Sequence, residues 1–202
     1  MSEIAFEMPK LEPLKVHCKD ARCDAGFHCF SPNKRRKDWQ KSYEGQCNCC
    51  GENPVDWEKM KKRDLSDVGA LFNELSHEWI RHTFFDAPFD EGSKKQAKKL
   101  GLQELKARVR HLLEKKIGPA NIFRDGIQTK KEGSAIFYAQ HATATCCRKC
   151  LEYWYGIGGN RELTNEELDF CEGLVVAYLD LRSDELLEDT ESDDAEQNIG
   201  AG

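Results

Sequence analysis

Phe137–Trp154 reads FYAQHATATCCRKCLEYW, and within it His141, Cys146, Cys147 and Cys150 fall inside ten positions between two aromatic runs. Three explanations compete for so many soft ligands in so little chain: a metal, an activated thiol or a crowded core. Cys147 and Cys150 are three apart, so at a helix N-terminus they face the same side. The helix is expected to run from these cysteines through Leu151, Trp154 and Tyr155 and to stop at GIGGN (156–160). Ahead of it, AIFYAQH (135–141) reads as a short strand or buried extended piece from which His141 returns toward the thiols.

The leading interpretation is a metal, zinc or iron, held by His141 with two or three of Cys146, Cys147 and Cys150. With three protein ligands the open position would hold water, and the site would serve a metal-dependent hydrolase. The first rival is a cysteine-based enzyme, in which a Cys146 or Cys147 thiolate is favoured at the helix N-terminus beside His141. The second rival is packing, with His141 and Cys146 as satisfied core residues. A zinc deaminase is excluded because Thr143 stands where its His-x-Glu signature needs the glutamate. Asp125, Gln128, Thr129, Lys130, Gln140, Thr143, Thr145 and Arg148 crowd the same segment, a density that favours a site over scaffold.

A second cysteine-rich stretch lies upstream: HCKDARCDAGFHCF (17–30), a basic loop (31–44) and GQCNCCGENPVDW (45–57). Two knuckles separated by a loop outline a zinc ribbon. Cys47-x-x-Cys50-Gly51 places glycine where a tight knuckle needs an unhindered turn, and Cys18, Cys23, Cys47 and Cys50 are the expected ligands, with His17 and His28 as substitutes. A module with so little apolar content needs such a staple, and structural zinc supplies about 10–16 kcal/mol of apparent binding free energy. Cys29 and Cys49 are left as neighbours, and Cys171 as core.

The rest of the chain reads as mainly α, with a few short strands. One helix is expected from about residue 56 or 66 to 84 on the spacing of Val68, Leu71, Phe72, Leu75 and Trp79. A second, over 93–116, rests on Leu102, Leu105, Val109, Leu112 and Leu113. Thr164 with Glu167 forms a capping box that starts the last helix. His77 and His82 lie five apart, which is not ligand spacing on one helical face, and His111 reads as solvated. The domain division expected is a zinc-ribbon-like module over 1–57, a helical domain over 58–183 and a disordered acidic tail over 184–202.

That tail holds eight of the 36 acidic residues, so 30 basic residues face 36 − 8 = 28 acids elsewhere and the body carries about +2 rather than −6. Lys34–Lys37, Lys59–Arg63 and the lysines and arginines of 94–116 form patches that suit nucleic acid, with Trp39 and Tyr43 available to stack. The same patches also fit ordinary solvated helix faces. The start of the chain is acidic and lacks an apolar core segment, and no run approaches membrane-spanning length. A cytoplasmic, reducing location is therefore expected, in which ten cysteines serve as metal ligands rather than disulfides.

The string DGIQTKKEGSAIFYAQHATATCCRKCLEYWYGIGGNRELTNEE (125–167) resembles the bacterial domain-of-unknown-function family 4186. Its motifs are an Asp-Gly-x-Gln-Thr element, a Gln-His-Ala-Thr-Ala-Thr-Cys-Cys-Arg-x-Cys core and a Leu-Thr-x-Glu-Glu helix start. The resemblance covers roughly 84–181 and implies no particular activity. Tyr155 stands where the family pattern suggests histidine, and Ile127 interrupts the polar element. The function expected is that of a zinc-binding protein with nucleic acid as the first partner to consider and no membrane, the alternative being an enzyme acting through His141, Cys146, Cys147 and Cys150.

Overall fold

A computed structural model describes residues 15–31, 44–120, 122 and 129–188. Among these the chain is mostly helical, as expected: α1 (Trp57–Lys62), α2 (Val68–Ser76), α3 (Trp79–Asp86), α4 (Glu91–Leu100), α5 (Leu102–Lys116), α6 (Ala135–Ala142), α7 (Arg148–Tyr155), α8 (Asn165–Leu181) and α9 (Ser183–Leu187). None of these helices is long and apolar enough to cross a membrane. The acidic segment past residue 188, the Lys34–Lys37 patch, Trp39 and Tyr43 lie outside the described residues.

The helix expected up to residue 84 is three helices, and the first break has a local cause. Arg63 closes α1 in a left-handed conformation at φ 56°. The Asp64 and Asp67 side chains then cap new turns by accepting from the backbone N–H groups of Ser66 and Ala70. The second break, between α2 and α3, is tertiary. His28 inserts as an extended residue, donating to the His77 carbonyl at 2.7 Å and accepting from the Trp79 amide at 3.0 Å, which makes a parallel bridge with Glu78. That external pairing replaces helix continuity. The expected 93–116 helix likewise divides at Gly101, whose φ of 76° and ψ of 155° glycine tolerates without a Cβ penalty.

The segment 135–141 is helix α6 rather than a strand. Ala135, Ala139 and Ala142 favour a helix, and Ile136, Tyr138, Gln140 and His141 are buried along with them. A short helix buried nearly all round shows no polar stripe, so its period is hidden in the sequence. α6 packs against α3 and α8, α5 lies along α8, α1 meets α7, and α9 rests on α4. One continuous core joins the two halves. Phe30 from the cysteine-rich segment packs edge-on to Trp57 (5.3 Å between ring centres) and to the fully buried Trp154 (5.9 Å). The ordered body also extends past residue 183, because α9 buries Leu186 completely and Glu185 accepts from the Phe89 amide.

Three basic residues of α5 face carboxylates within the chain. Lys106 pairs with Asp180, Arg108 with Glu104 at 2.9 Å, and Arg110 with Glu114 at 2.8 Å as well as with Asp169 and Glu172. The α8 capping box forms as expected, with Thr164 Oγ1 accepting from the Glu167 amide and Glu167 accepting from the Thr164 amide.

Asp90 caps α4 and also holds the 130–133 turn, its carboxylate accepting from the amides of Ser93 and Gly133. Burial acts to raise its pKa, but these donors and the Ser93 and Tyr138 hydroxyls outweigh burial and hold it below the usual carboxylate range. A depressed folded-state pKa gives stability that is present above the unfolded value and lost as pH falls through the folded one. Asp90→Ala is expected to cost about 1–2 kcal/mol near neutral pH and to flatten the acid limb of the stability profile, as read by urea titration across pH 2–5.

Candidate metal centres

Four ligand atoms meet where the N-terminal segment touches the start of α3: Cys23, His28, Cys47 and Cys50, all within 4.8 Å of one another. The first knuckle is a single 3₁₀ turn, Cys23–Ala25, closed by Gly26 at φ 80° and by paired backbone bonds between Arg22 and Phe27. The second is Cys47–Gly51, in which Gly51 at φ 85° donates to the Cys47 carbonyl. Its geometry aims amides at sulfur: the backbone N–H groups of Cys29 and Cys49 each donate to Cys47 Sγ at 3.4 Å. Burial would raise the Cys47 pKa, yet the amides of Cys29, Cys50 and Cys49 overcome it and lower the value to about 6.

The spacings match a tetrahedral ion. Cys23 and Cys47 sulfurs are 3.7 Å apart, and Cys50 Sγ lies 3.4 Å from His28 Nδ1. Zn–S and Zn–N bonds of about 2.3 and 2.0 Å at the tetrahedral angle give S–S and S–N edges of roughly 3.8 and 3.5 Å. The other ring nitrogen of His28 faces the Glu52 carboxylate at 3.6 Å, the second partner that commonly orients a ligating histidine. His28 is itself positioned by the bridge to Glu78.

Of the expected quartet, Cys23, Cys47 and Cys50 come together, and His28, named as a substitute, stands with them where Cys18 was expected. Cys29, buried beside the knuckles, donates its Sγ hydrogen to the Cys18 carbonyl at 3.1 Å. That bond fixes the Cys18 backbone, and Cys18 belongs to neither group of ligand atoms. His17 is exposed, and its backbone amide donates to the Asp20 carboxylate.

The second group comprises Cys146, Cys147 and Cys150, all buried. Cys146 and Cys147 follow a turn in which Ala144 takes φ 55°, Cys147 is the N-cap of α7, and Cys150 lies in its first turn. Cys150 Sγ is 3.6 Å from Cys146 Sγ and 3.4 Å from Cys147 Sγ. Above them lies Arg81, which has no exposed surface. It donates to Cys150 Sγ at 3.1 Å, Cys146 Sγ at 3.7 Å, the His141 carbonyl at 2.5 Å and the Tyr153 hydroxyl at 3.4 Å. Hydrogen bonds from Cys147 and Cys150 hold Cys146 well below the ordinary thiol range, with burial opposing and Arg81 assisting; Cys147 is driven the other way by the same bonds.

Arg81 is neutralised by Glu78, also fully buried, whose carboxylate accepts from Arg81 Nε at 2.9 Å, the Tyr153 hydroxyl at 2.9 Å, Trp154 Nε1 at 3.2 Å and the Phe30 amide at 3.3 Å. Sequence reasoning missed both residues. A signal was available: Glu78 continues the apolar spacing Leu71, Leu75 at i+3, where a charge is unexpected on a buried face.

His141 does not join the three cysteines. Its Nε2 bonds the carbonyls of Lys130 (3.2 Å) and Thr129 (3.4 Å), its ring stacks on Phe84, and only its backbone carbonyl reaches Arg81. Burial first, then Arg81, lower its pKa to about 3, so the ring is neutral. The correction follows from α6: in a helix rather than a strand, His141 points to the 129–130 turn. The polar residues around the motif serve as scaffold. Gln140 bonds the Thr145 carbonyl, Thr143 pairs with Thr145, and buried Arg148 ties down the carbonyls of Ile117, Gly158 and Arg161. Tyr155, at the position where histidine was expected, donates to the Thr143 carbonyl. Asp125 and Gln128 lie outside the described residues.

Fold and sites together define a helical protein with two Cys/His groups able to hold a metal ion. The chain belongs to the family described as a domain of unknown function (DUF4186), whose model matches residues 69–180. The match contains Glu78, Arg81 and the Cys146–Cys150 group, whereas the Cys23–Cys50 group precedes it. No solved structure matches the chain.

Breaking the buried pair by Glu78→Ala leaves Arg81 uncompensated and is expected to cost about 3–5 kcal/mol. Removing the half-exposed Arg108 partner by Glu104→Ala should cost no more than about 1 kcal/mol. Urea midpoints of the two variants check the contrast, and similar midpoints would show that the pair does not organise the core.

Proposed function

We propose that this protein is a zinc-binding structural protein, in which Cys23, His28, Cys47 and Cys50 hold one zinc ion that organises the N-terminal segment against the helical body. The observation that carries this reading is the set of edge lengths, 3.7 Å between sulfurs and 3.4 Å from sulfur to the His28 ring nitrogen. Four protein ligands leave no open coordination position, which favours a structural over a catalytic role. Zinc bound there would stabilise the folded chain by the binding free energy, because the unfolded chain has no preformed site.

The domain division that goes with this reading is a metal-stapled module up to about residue 57 and a helical body beyond it. Its support is local, since all four ligands come from residues 23–50. A nucleic-acid partner draws less support, because the α5 cations Lys106, Arg108 and Arg110 already face carboxylates. A hydrolase or cysteine enzyme at residues 141–150 draws less as well, because His141 stands apart from the thiols and is held by backbone carbonyls.

Zinc content of the full chain, purified without added metal, tests the proposal together with thermal unfolding before and after chelation. Wild type is expected to carry zinc and to lose several degrees or more of melting temperature when it is removed. Cys50→Ser, and separately His28→Ala, should each lower the zinc content by one ion per chain. A chain whose zinc content is unchanged by both substitutions would sink the assignment.

A further inference from the structure

Cys147 is the N-cap of α7 and Cys150 lies in its first turn, so a Cys-x-x-Cys pair spans a helix N-terminus with its sulfurs 3.4 Å apart. Cys146 Sγ also touches Cys150 Sγ, at 3.6 Å, which makes Cys150 the sulfur common to both contacts. The positive charge against these sulfurs comes from the protein itself. Arg81 donates to Cys150 Sγ at 3.1 Å and to Cys146 Sγ at 3.7 Å, and Cys147 is not among its acceptors. Among the described residues no fourth Cys, His, Asp or Glu brings a ligand atom into the group. Thiols in mutual contact, with a cation already beside them, are arranged for bond formation between sulfurs.

We propose that Cys147 and Cys150 are a reversible redox couple, a dithiol that a small hydroperoxide converts to a disulfide. Arg81 stabilises negative charge on the group, most strongly at Cys150 Sγ, which it approaches most closely, so Cys150 is the attacking sulfur. When it attacks the peroxide the O–O bond breaks. One oxygen stays on sulfur as a sulfenic acid, and the other leaves as hydroxide and takes up a proton to become water. Cys147 Sγ, already in contact, then attacks the sulfenic sulfur. The S–S bond forms, the S–O bond breaks, and the hydroxyl leaves as a second water with the Cys147 proton. Two thiols and one hydrogen peroxide thus give one disulfide and two waters, the two electrons passing from sulfur to peroxide. A small dithiol reverses the change by thiol–disulfide exchange. All three thiols are buried, Cys147 being the most exposed at 6%, an enclosure that suits an oxidant as small as hydrogen peroxide.

The couple shares no residue with the Cys23–His28–Cys47–Cys50 group, so it does not rest on the zinc assignment there. Its consequence reaches beyond the two sulfurs. A disulfide sulfur no longer carries the charge that Arg81 faces, and Arg81 is joined through Glu78 to Phe30, Tyr153 and Trp154. Oxidation therefore acts on the contact between the cysteine-rich segment and the helical body.

The test is to treat the full-length chain, as purified, with hydrogen peroxide, alkylate the remaining thiols under unfolding conditions and map the peptides by mass spectrometry. Trypsin cuts after Arg148 and Lys149, so the expected bond appears as two linked peptides, and fragmentation separates Cys147 from Cys146. Wild type should gain the Cys147–Cys150 link and recover both thiols with dithiothreitol. Cys147→Ser and Cys150→Ser should each abolish that link, while Cys146→Ser and Cys171→Ser should keep it. If the Cys147 or Cys150 variant does not fold, the wild-type map alone decides. Three unlinked thiols after peroxide treatment, as a metal held among them would produce, overturn the proposal. So does a wild-type link from Cys150 to Cys146, or oxidation of Cys150 to a sulfinic acid with no link at all.

Discussion

The fully buried ion pair between Glu78 and Arg81 is the constraint on which the rest of the structure depends. Two charges without solvent are stable only when their remaining hydrogen-bonding capacity is met, and here each partner recruits a different part of the chain to meet it. Glu78 takes donors from Phe30, Tyr153 and Trp154, while Arg81 gives donors to His141, Cys146 and Cys150. The cysteine-rich segment, α6 and α7 therefore converge on two residues at the start of α3. An apolar pair of similar volume would pack there without specifying which segments must meet.

The same short stretch touches both cysteine groups. The Glu78 backbone bridges to His28, which orients the imidazole toward Cys50, and Arg81 lies one helical turn further on against Cys146 and Cys150. Displacing the start of α3 would disturb both groups together. The break between α2 and α3, which costs a turn of helix, is what allows this: a continuous helix through His77 would leave no free carbonyl and amide for His28 to pair with.

Much of this was legible in the sequence, and the misses share one cause. Helical class, the α8 capping box and the Cys47–Gly51 knuckle depend on residues close together in the chain, and those expectations agree with the structure. The helix break at His77 and the helicity of 135–142 depend on partners far away or on burial all round, neither of which leaves a periodic trace. Membership of the first Cys/His group divides along the same line. Cys23, Cys47 and Cys50 were readable from spacing, but the choice between Cys18 and His28 turns on the strand-like pairing of His28 with Glu78. The density of polar residues at 140–148 looked like chemistry because buried turns and reactive sites need the same groups, and only their partners, mostly backbone carbonyls, tell the two apart.

The two groups also differ in what must come first. The Cys23–Cys50 ligands all lie within one short segment, so bringing them together closes a modest loop and needs little from the helical body. The Cys146–Cys150 thiols are local to one another, but the charge that sets their environment, Arg81, comes from α3. That environment is complete only once α3, α6 and α7 have packed. The exposed Cys50 and Cys49 place the first group at the rim, whereas the second is sealed beneath Arg81. The rim group therefore opens to solvent more readily than the interior one, because exposing the latter requires the Glu78–Arg81 network to separate first.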